Sequence, residues 1–217
     1  MNISGMDNRR FITVEGVEGA GKSSNLRFVR GLLEREGREV VTTREPGGTV
    51  LGEEIRDLLL GHRDEGMAAD TELLLMFAAR AEHLDRVILP ALSAGKWVLC
   101  DRFTDASFAY RGGGRGLDAA RIAQLAGWVH GEFMPGLTLL LDLPVDEGLA
   151  RAGGRAEPDR FECERSEFFE RVRSCYLDRA VREPARFRVI DAAAPMATVQ
   201  DRLREVLEDW LSANPVA

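Results

Sequence analysis

The stretch VEGVEGAGKSSN, residues 14–25, follows directly on the apolar run FITV. Three glycines in so short a space weaken the interior of any strand or helix, so the chain has to turn here. Gly16, Gly21, Lys22 and Ser23 satisfy the spacing G-x-x-x-x-G-K-[ST] of a phosphate-binding loop. Such a loop works where a strand delivers the chain to a helix N-terminus, because the backbone N–H groups there point at a bound anion. The surroundings agree: RFITVEG reads as a strand and residues 21–36 as a helix. Glycines let the backbone wrap a phosphate without a Cβ in the way. Lys22 supplies charge to the β- and γ-phosphates, and the Ser23 hydroxyl is a ligand for Mg²⁺. Gly16, Val17, Glu18, Gly19, Ala20, Gly21, Lys22, Ser23 and Ser24 therefore form the candidate triphosphate cradle. Chance gives such a match in roughly one chain per hundred of this size, which leaves little room for a bare glycine turn.

The rest of the chain alternates in the same manner. REVVTTRE, KWVLCD, LTLLLDLP and RFRVID read as further strands. TVLGEEIRDLLLG (residues 49–61) and residues 69–94, 117–130, 144–152, 163–182 and 195–213 read as helices, with Pro90 placed to kink or interrupt the second of them. LTLLLDLP is apolar without a break, as a strand buried on both faces should be. Strands alternating with helices predict an α/β fold, a parallel sheet covered on both sides.

The bulk numbers narrow the function classes. The 217 residues, 45% hydrophobic and 30% charged, suffice for one packed domain, 1–217, behind a loose tail over 1–9. A net charge of −7 disfavours nonspecific nucleic-acid binding. No run of 18 apolar residues exists to span a membrane, and the N-terminus lacks a secretory pattern. Cys100, Cys163 and Cys175 show no metal spacing and read as reduced cytoplasmic thiols. His62, His83 and His130 read as structural or surface groups, with His83 kept open as lying near a site.

Three constellations bear on what is done with the triphosphate. WVLCDR ends an apolar strand in Asp101, a carboxylate suited to a Mg²⁺ shell or to a helix N-cap. Arg102 and the run YRGGGRG gather arginines and glycines in an acidic chain, as a second anion site requires. Residues 151–160, RAGGRAEPDR, place Arg151, Arg155 and Arg160 in a segment that is either a lid closing over phosphates or an ordinary loop.

EGVEGAGKS, TREPGGT, MFAARAEHL and DRFTDASFAYRGGGRG together resemble the bacterial thymidylate kinases, and the resemblance runs from Phe11 to the last helix. It implies a P-loop nucleoside monophosphate kinase fold with a five-stranded parallel sheet, and a homodimer. The implied reaction moves the γ-phosphate of ATP to dTMP with Mg²⁺. Residue by residue, Glu18 is implied at the sugar 3′-OH of dTMP, and Arg102 at its phosphate with Asp101 beside it. Arg80 is implied at the thymine carbonyl, and Tyr110 against the deoxyribose. Ser107 and Arg111 fall at base-contacting positions. Arg44, Glu45, Pro46 and Arg56 would line the acceptor site. Relatives often carry phenylalanine four residues before the thymine-reading arginine. That position here is Met76, and Phe77 follows, about 100° further round the helix, so either covers the thymine ring. None of Val17, Glu18, Gly19 and Ala20 is basic, which leaves the charge on the transferring group to Arg151, Arg155 or Arg160. The nearest rival is a kinase for another nucleoside monophosphate. A GTP switch needs Asn-Lys-x-Asp, and neither Lys22 nor Lys96 follows asparagine.

Overall fold

A computed structural model describes residues 6–61, 65–152 and 166–215. Arg155, Arg160, Cys163 and His62 lie outside the described residues. Five strands, β1 (Phe11–Glu15), β2 (Val40–Arg44), β3 (Trp97–Asp101), β4 (Leu137–Asp142) and β5 (Phe187–Asp191), form one parallel sheet in the order β2-β3-β1-β4-β5. Each coincides with an expected strand. β1 lies at the centre, pairing Val14 with Asp101 on one side and Glu15 with Leu140 on the other. β4 is buried from Leu137 to Leu141, and each such Leu contributes roughly 2 kcal/mol by leaving water.

Helices cover both faces. α1 (Lys22–Arg35) buries Leu26, Val29 and Leu33 against the sheet. α2 (Val50–Leu60) starts at Thr49, whose Oγ1 accepts the Gly52 N–H at 2.9 Å and caps it. α3 (Ala69–His83) gives way to a wide π-helical turn, Leu84–Ile88, and then to α4 (Leu89–Ser93). The expected helix over 69–94 is therefore broken just before Pro90, which carries no N–H to continue the ladder. After β3 come a short α5 (Thr104–Ser107) and a second π-helical segment, Phe108–Gly114. The sequence pattern assigns no element to this stretch. α6 (Ala119–Val129), α7 (Val145–Ala152), α8 (Ser166–Arg182) and α9 (Met196–Ala213) complete the chain. α8 lies hard against the Phe108–Gly114 segment. A Cβ on Gly113 would stand 2.8 Å from the Arg171 carbonyl oxygen.

The chain leaves β1 for β2 in one direction and enters β4 in the other. The crevice past the C-terminal ends of β1 and β3 is where ligands bind in such sheets, and both the glycine loop and Asp101 open onto it.

Candidate active site

The loop between β1 and α1 has the conformation its glycines permit. Gly16, Gly19 and Gly21 take φ of 143°, 75° and 82°, values that side chains resist. A Cβ on Gly16 would stand 2.5 Å from the Leu141 carbonyl oxygen of β4. A Cβ on Gly19 would strike the Gly148 backbone in α7, and one on Gly148 would lie 2.5 Å from the Glu18 carbonyl oxygen. Lys22 folds back across the loop, and its Nζ donates to the carbonyls of Gly16 and Val17 at 3.0 Å each. Burial and then the Arg102 charge lower its pKa, against the pull of Glu18.

On one flank of the loop a cleft of about 480 Å³ opens between Gly19–Gly21, Ser24, Asn25 and the β5–α9 connection from Ala192 to Met196. Arg151, at the end of α7, borders it and donates from Nη1 to the Ala192 carbonyl at 2.9 Å.

On the other flank lies a narrow cleft lined by Glu18, Glu45, Pro46, Arg56, Met76, Arg102, Tyr110 and Arg111. Its mouth is a closed triangle. Arg102 Nη2 donates to Glu18 Oε1 at 2.6 Å and to the Tyr110 hydroxyl at 2.7 Å, while that hydroxyl donates to the same Glu18 oxygen at 2.9 Å. Burial raises the Glu18 pKa, but Arg102 and Lys22 outweigh it and hold the carboxyl down at about 2. Burial also disfavours the Arg102 cation, yet Glu18 keeps it charged well beyond its ordinary range. Arg102 has φ 69°, the one positive φ outside glycine among the described residues.

Arg80 sits at the bottom of the same region, fully buried. Its Nε donates to Glu45 Oε2 at 2.8 Å, and its Nη2 to the Ser107 hydroxyl at 3.0 Å and the Phe103 carbonyl at 3.2 Å. Its Nη1 has no hydrogen-bond partner among the described residues, and a buried orphan donor of this kind calls for a ligand. Met76 lines the cleft. Phe77 instead packs with Leu73, Ile122 and Ala126, with the Arg80 guanidinium 4.6 Å from its ring centroid. Arg56 donates to the Pro46 carbonyl at 3.0 Å. The exposed Arg44 pairs with Glu53 at 2.7 Å. The Arg111 Nε lies 2.9 Å from Glu72 Oε1.

Asp101 ends β3 with its Oδ1 buried and without a hydrogen-bond partner among the described residues. It is no N-cap, since the next helix begins after Phe103. Asp101 and the exposed Ser23 border one cleft of about 620 Å³. Oxygen ligands of this kind, with room for phosphates and water, fit Mg²⁺. No cluster of three or more His, Cys, Asp or Glu able to cage a metal occurs among the described residues.

Sequence reasoning passed over Glu15, Glu72 and Tyr176. Glu15 is buried at the end of β1, accepting the Tyr176 hydroxyl and the Phe103 N–H at 2.7 Å each. The signal that picked out Asp101, a carboxylate closing an apolar strand, applies to Glu15 as well. His83 proves buried beside the site, and His130 is structural, with its Nε2 2.8 Å from the Thr104 hydroxyl.

Known proteins match the chain along nearly its whole length. The family model described as thymidylate kinase matches residues 14–203. A thymidylate kinase of Alkalilimnicola ehrlichii is 58% identical over 214 residues, covering 96% of this chain and 99% of that one. One from Ectopseudomonas mendocina is 59% identical, with 94% and 97% covered. The crystal structure of thymidylate kinase from Ehrlichia chaffeensis superposes with a TM-score of 0.73 at 35% identity, covering 91% of this chain and 97% of that one. With a glycine loop on the central strand, a cleft on either side of it, and relatives matched from end to end, the chain belongs to the thymidylate kinase family.

Proposed function

We propose that this protein transfers the γ-phosphoryl group of ATP to dTMP, giving ADP and dTDP on the route to dTTP, with the cleft at Arg151 as donor site and that at Arg102 as acceptor site. The observation that carries the reading is the Glu18–Arg102–Tyr110 triangle. It ties the phosphate loop to the acceptor cleft, so that both nucleotides meet at one point.

ATP phosphates lie along Gly16–Ser24, with Lys22 released from the Gly16 and Val17 carbonyls onto the β- and γ-oxygens. The dTMP phosphate meets the Arg102 cation, and Glu18 accepts from the sugar hydroxyl while Tyr110 crowds a 2′-OH. Arg80 offers its orphan Nη1 to the thymine O4 carbonyl, flanked by Ser107, with Met76 over the ring. Arg44, Glu45, Pro46, Arg56 and Arg111 border the acceptor. Ser23 and Asp101 would hold Mg²⁺, which would neutralise charge on the phosphate oxygens. Because none of the loop's variable positions Val17–Ala20 is basic, the positive charge beyond Lys22 falls to Arg102 and, on sequence alone, to Arg155 and Arg160. The catalysis is positioning and electrostatics.

The assembly we propose is a single-domain protomer in a cytoplasmic homodimer. Leu51 and Leu58 on α2, Leu74 on α3 and Trp128 on α6 are exposed apolar side chains, and α3 packs against both α2 and α6. Exposed apolar side chains on neighbouring helices suit burial against a second copy. No helix among the described residues is long and apolar enough to cross a membrane, and the net charge of −7 repels nucleic acid.

The test is ADP release with ATP and Mg²⁺ against a panel of nucleoside monophosphates. dTMP should exceed dCMP and UMP by tenfold or more in kcat/KM, since an unpaired buried donor costs roughly 1–3 kcal/mol. Equal rates with dTMP and dCMP would remove Arg80 from its role, and no transfer to any of them would remove the kinase reading.

A further inference from the structure

Behind Arg80 stands a chain of buried polar groups that the reaction does not touch. Glu45 gives one carboxylate oxygen to Arg80 Nε at 2.8 Å and the other to His83 Nδ1 at 3.0 Å. The far ring nitrogen, Nε2, lies 2.6 Å from the Thr43 hydroxyl of β2. Arg80, His83 and Glu45 are all buried. A carboxylate only accepts, so Nδ1 carries the proton toward Glu45. In the neutral ring Nε2 then accepts from Thr43, and the bonds converge on Glu45, which accepts from His83 on one side and from Arg80 on the other.

The backbone is shaped to hold this run. Glu45 belongs to the REPGG turn, and the loop closes directly over the imidazole. A Cβ on Gly48 would stand 2.5 Å from the Thr43 hydroxyl and 2.6 Å from His83 Nε2. Gly48 has φ 79°, so the position suits glycine for both space and conformation. Arg80 and His83 sit three residues apart on α3 and so share a face. Between them they fix both oxygens of Glu45, and the carboxylate plane in turn fixes the guanidinium plane. Without His83, Glu45 keeps one anchor and rotates, and Arg80 loses the orientation that presents Nη1.

We propose that His83, braced by Thr43, is a positioning residue for thymine recognition, holding Glu45 so that Arg80 meets the base carbonyl. This rests on the reading that Arg80 addresses thymine O4. The groups facing the imidazole are Glu45, Thr43 and the Gly48 backbone.

The experiment compares wild type, His83→Leu, His83→Asn and Thr43→Val. It measures kcat and KM for dTMP, dCMP and ATP, with thermal melting as a check on the fold. His83→Leu should raise KM for dTMP roughly tenfold and narrow the dTMP/dCMP ratio of kcat/KM by a similar factor, the loss of one hydrogen bond to a charged group. KM for ATP should not move. His83→Asn, which keeps a donor near the Nδ1 position, should recover much of both. Thr43→Val is nearly isosteric at a half-buried strand position and should shift the same quantities by about threefold, so it decides the matter if His83→Leu does not fold. A merely structural histidine would lower kcat on both nucleotides alike and leave the ratio and KM unchanged, which overturns the proposal. If wild type itself fails to separate dTMP from dCMP, the Arg80 reading falls and this one with it. If wild type separates them and the His83 and Thr43 variants do so equally well, only this proposal falls.

Discussion

Arg102 Nη2 stands 2.6 Å from Glu18 Oε1, and it does so from a backbone with φ 69°. A left-handed arginine costs roughly 1–3 kcal/mol, so the fold accepts strain to bring this cation onto the phosphate loop. Arg102→Lys keeps the charge but loses the planar fork. We expect kcat/KM for dTMP to fall on the order of 10², with KM for ATP changed little, in steady-state ADP-release assays. Wild-type kinetics in this variant would mean that the guanidinium geometry is irrelevant to the acceptor.

Lys22 is tied to two loop carbonyls at 3.0 Å. Lys22→Ala should lower single-turnover transfer by roughly 10²–10³ while circular dichroism still reports the α/β fold. Full activity in the folded variant would sink the assignment of the loop.

Arg151 faces the donor cleft and leans on the Ala192 carbonyl at 2.9 Å. Arg151→Ala should raise KM for ATP by about tenfold with a much smaller change in kcat, because its contact is with bound nucleotide in ground and transition states alike. The reverse split would place Arg151 at the transferring phosphoryl group.

Asp101 Oδ1 is a buried acceptor with no partner among the described residues. Asp101→Asn should raise the Mg²⁺ concentration needed for half-maximal rate by about tenfold, leaving KM for dTMP within a few-fold. An unchanged Mg²⁺ titration would remove Asp101 from the metal shell.

Glu15 gives a pH-dependent signature. Burial, and then the neighbouring Asp105, push its carboxyl from the ordinary 4.5 up to about 8, against the bonds from Tyr176 and Phe103. A group with a raised folded pKa contributes stability that is full below 4.5 and is lost as pH rises through about 8. Glu15→Gln imitates the protonated form and does not titrate. Wild type should therefore lose on the order of 1 kcal/mol or more, relative to Glu15→Gln, between pH 5 and pH 8. Urea unfolding at both pH values measures this, and a constant gap would show that Glu15 is not held neutral.

The strands were legible because each is a short apolar run whose flanks change character, as at FITVEG and LTLLLDLP. The glycine loop was legible because its signal is local, a fixed spacing of Gly16, Gly21, Lys22 and Ser23 between a strand and a helix. Residues 104–114 were not, because their helical shape is imposed by α8. Glycines read as a loop signal, yet here Gly113 is the space into which the Arg171 backbone fits. The choice between Met76 and Phe77 also lay beyond the pattern. In the fold Phe77 packs with Ile122 and Ala126 of α6, while Met76 lines the cleft. The brace on Glu45 depends on residues at 43, 45 and 83, whose meeting is purely tertiary.

The phosphate loop and α7 meet backbone to backbone: a Cβ on Gly19 would strike the Gly148 main chain, and one on Gly148 the Glu18 carbonyl. In a saturation library scored for growth, Gly148 should tolerate replacement as poorly as a residue of the phosphate loop, although it lies in α7, more than a hundred positions further along the chain. Replacing both at once would bring no relief, since each new Cβ still meets main chain. The fitness cost at Gly148 would thus come from excluded volume, and a map of intolerant positions would draw the nucleotide site larger than the set of atoms that touch nucleotide.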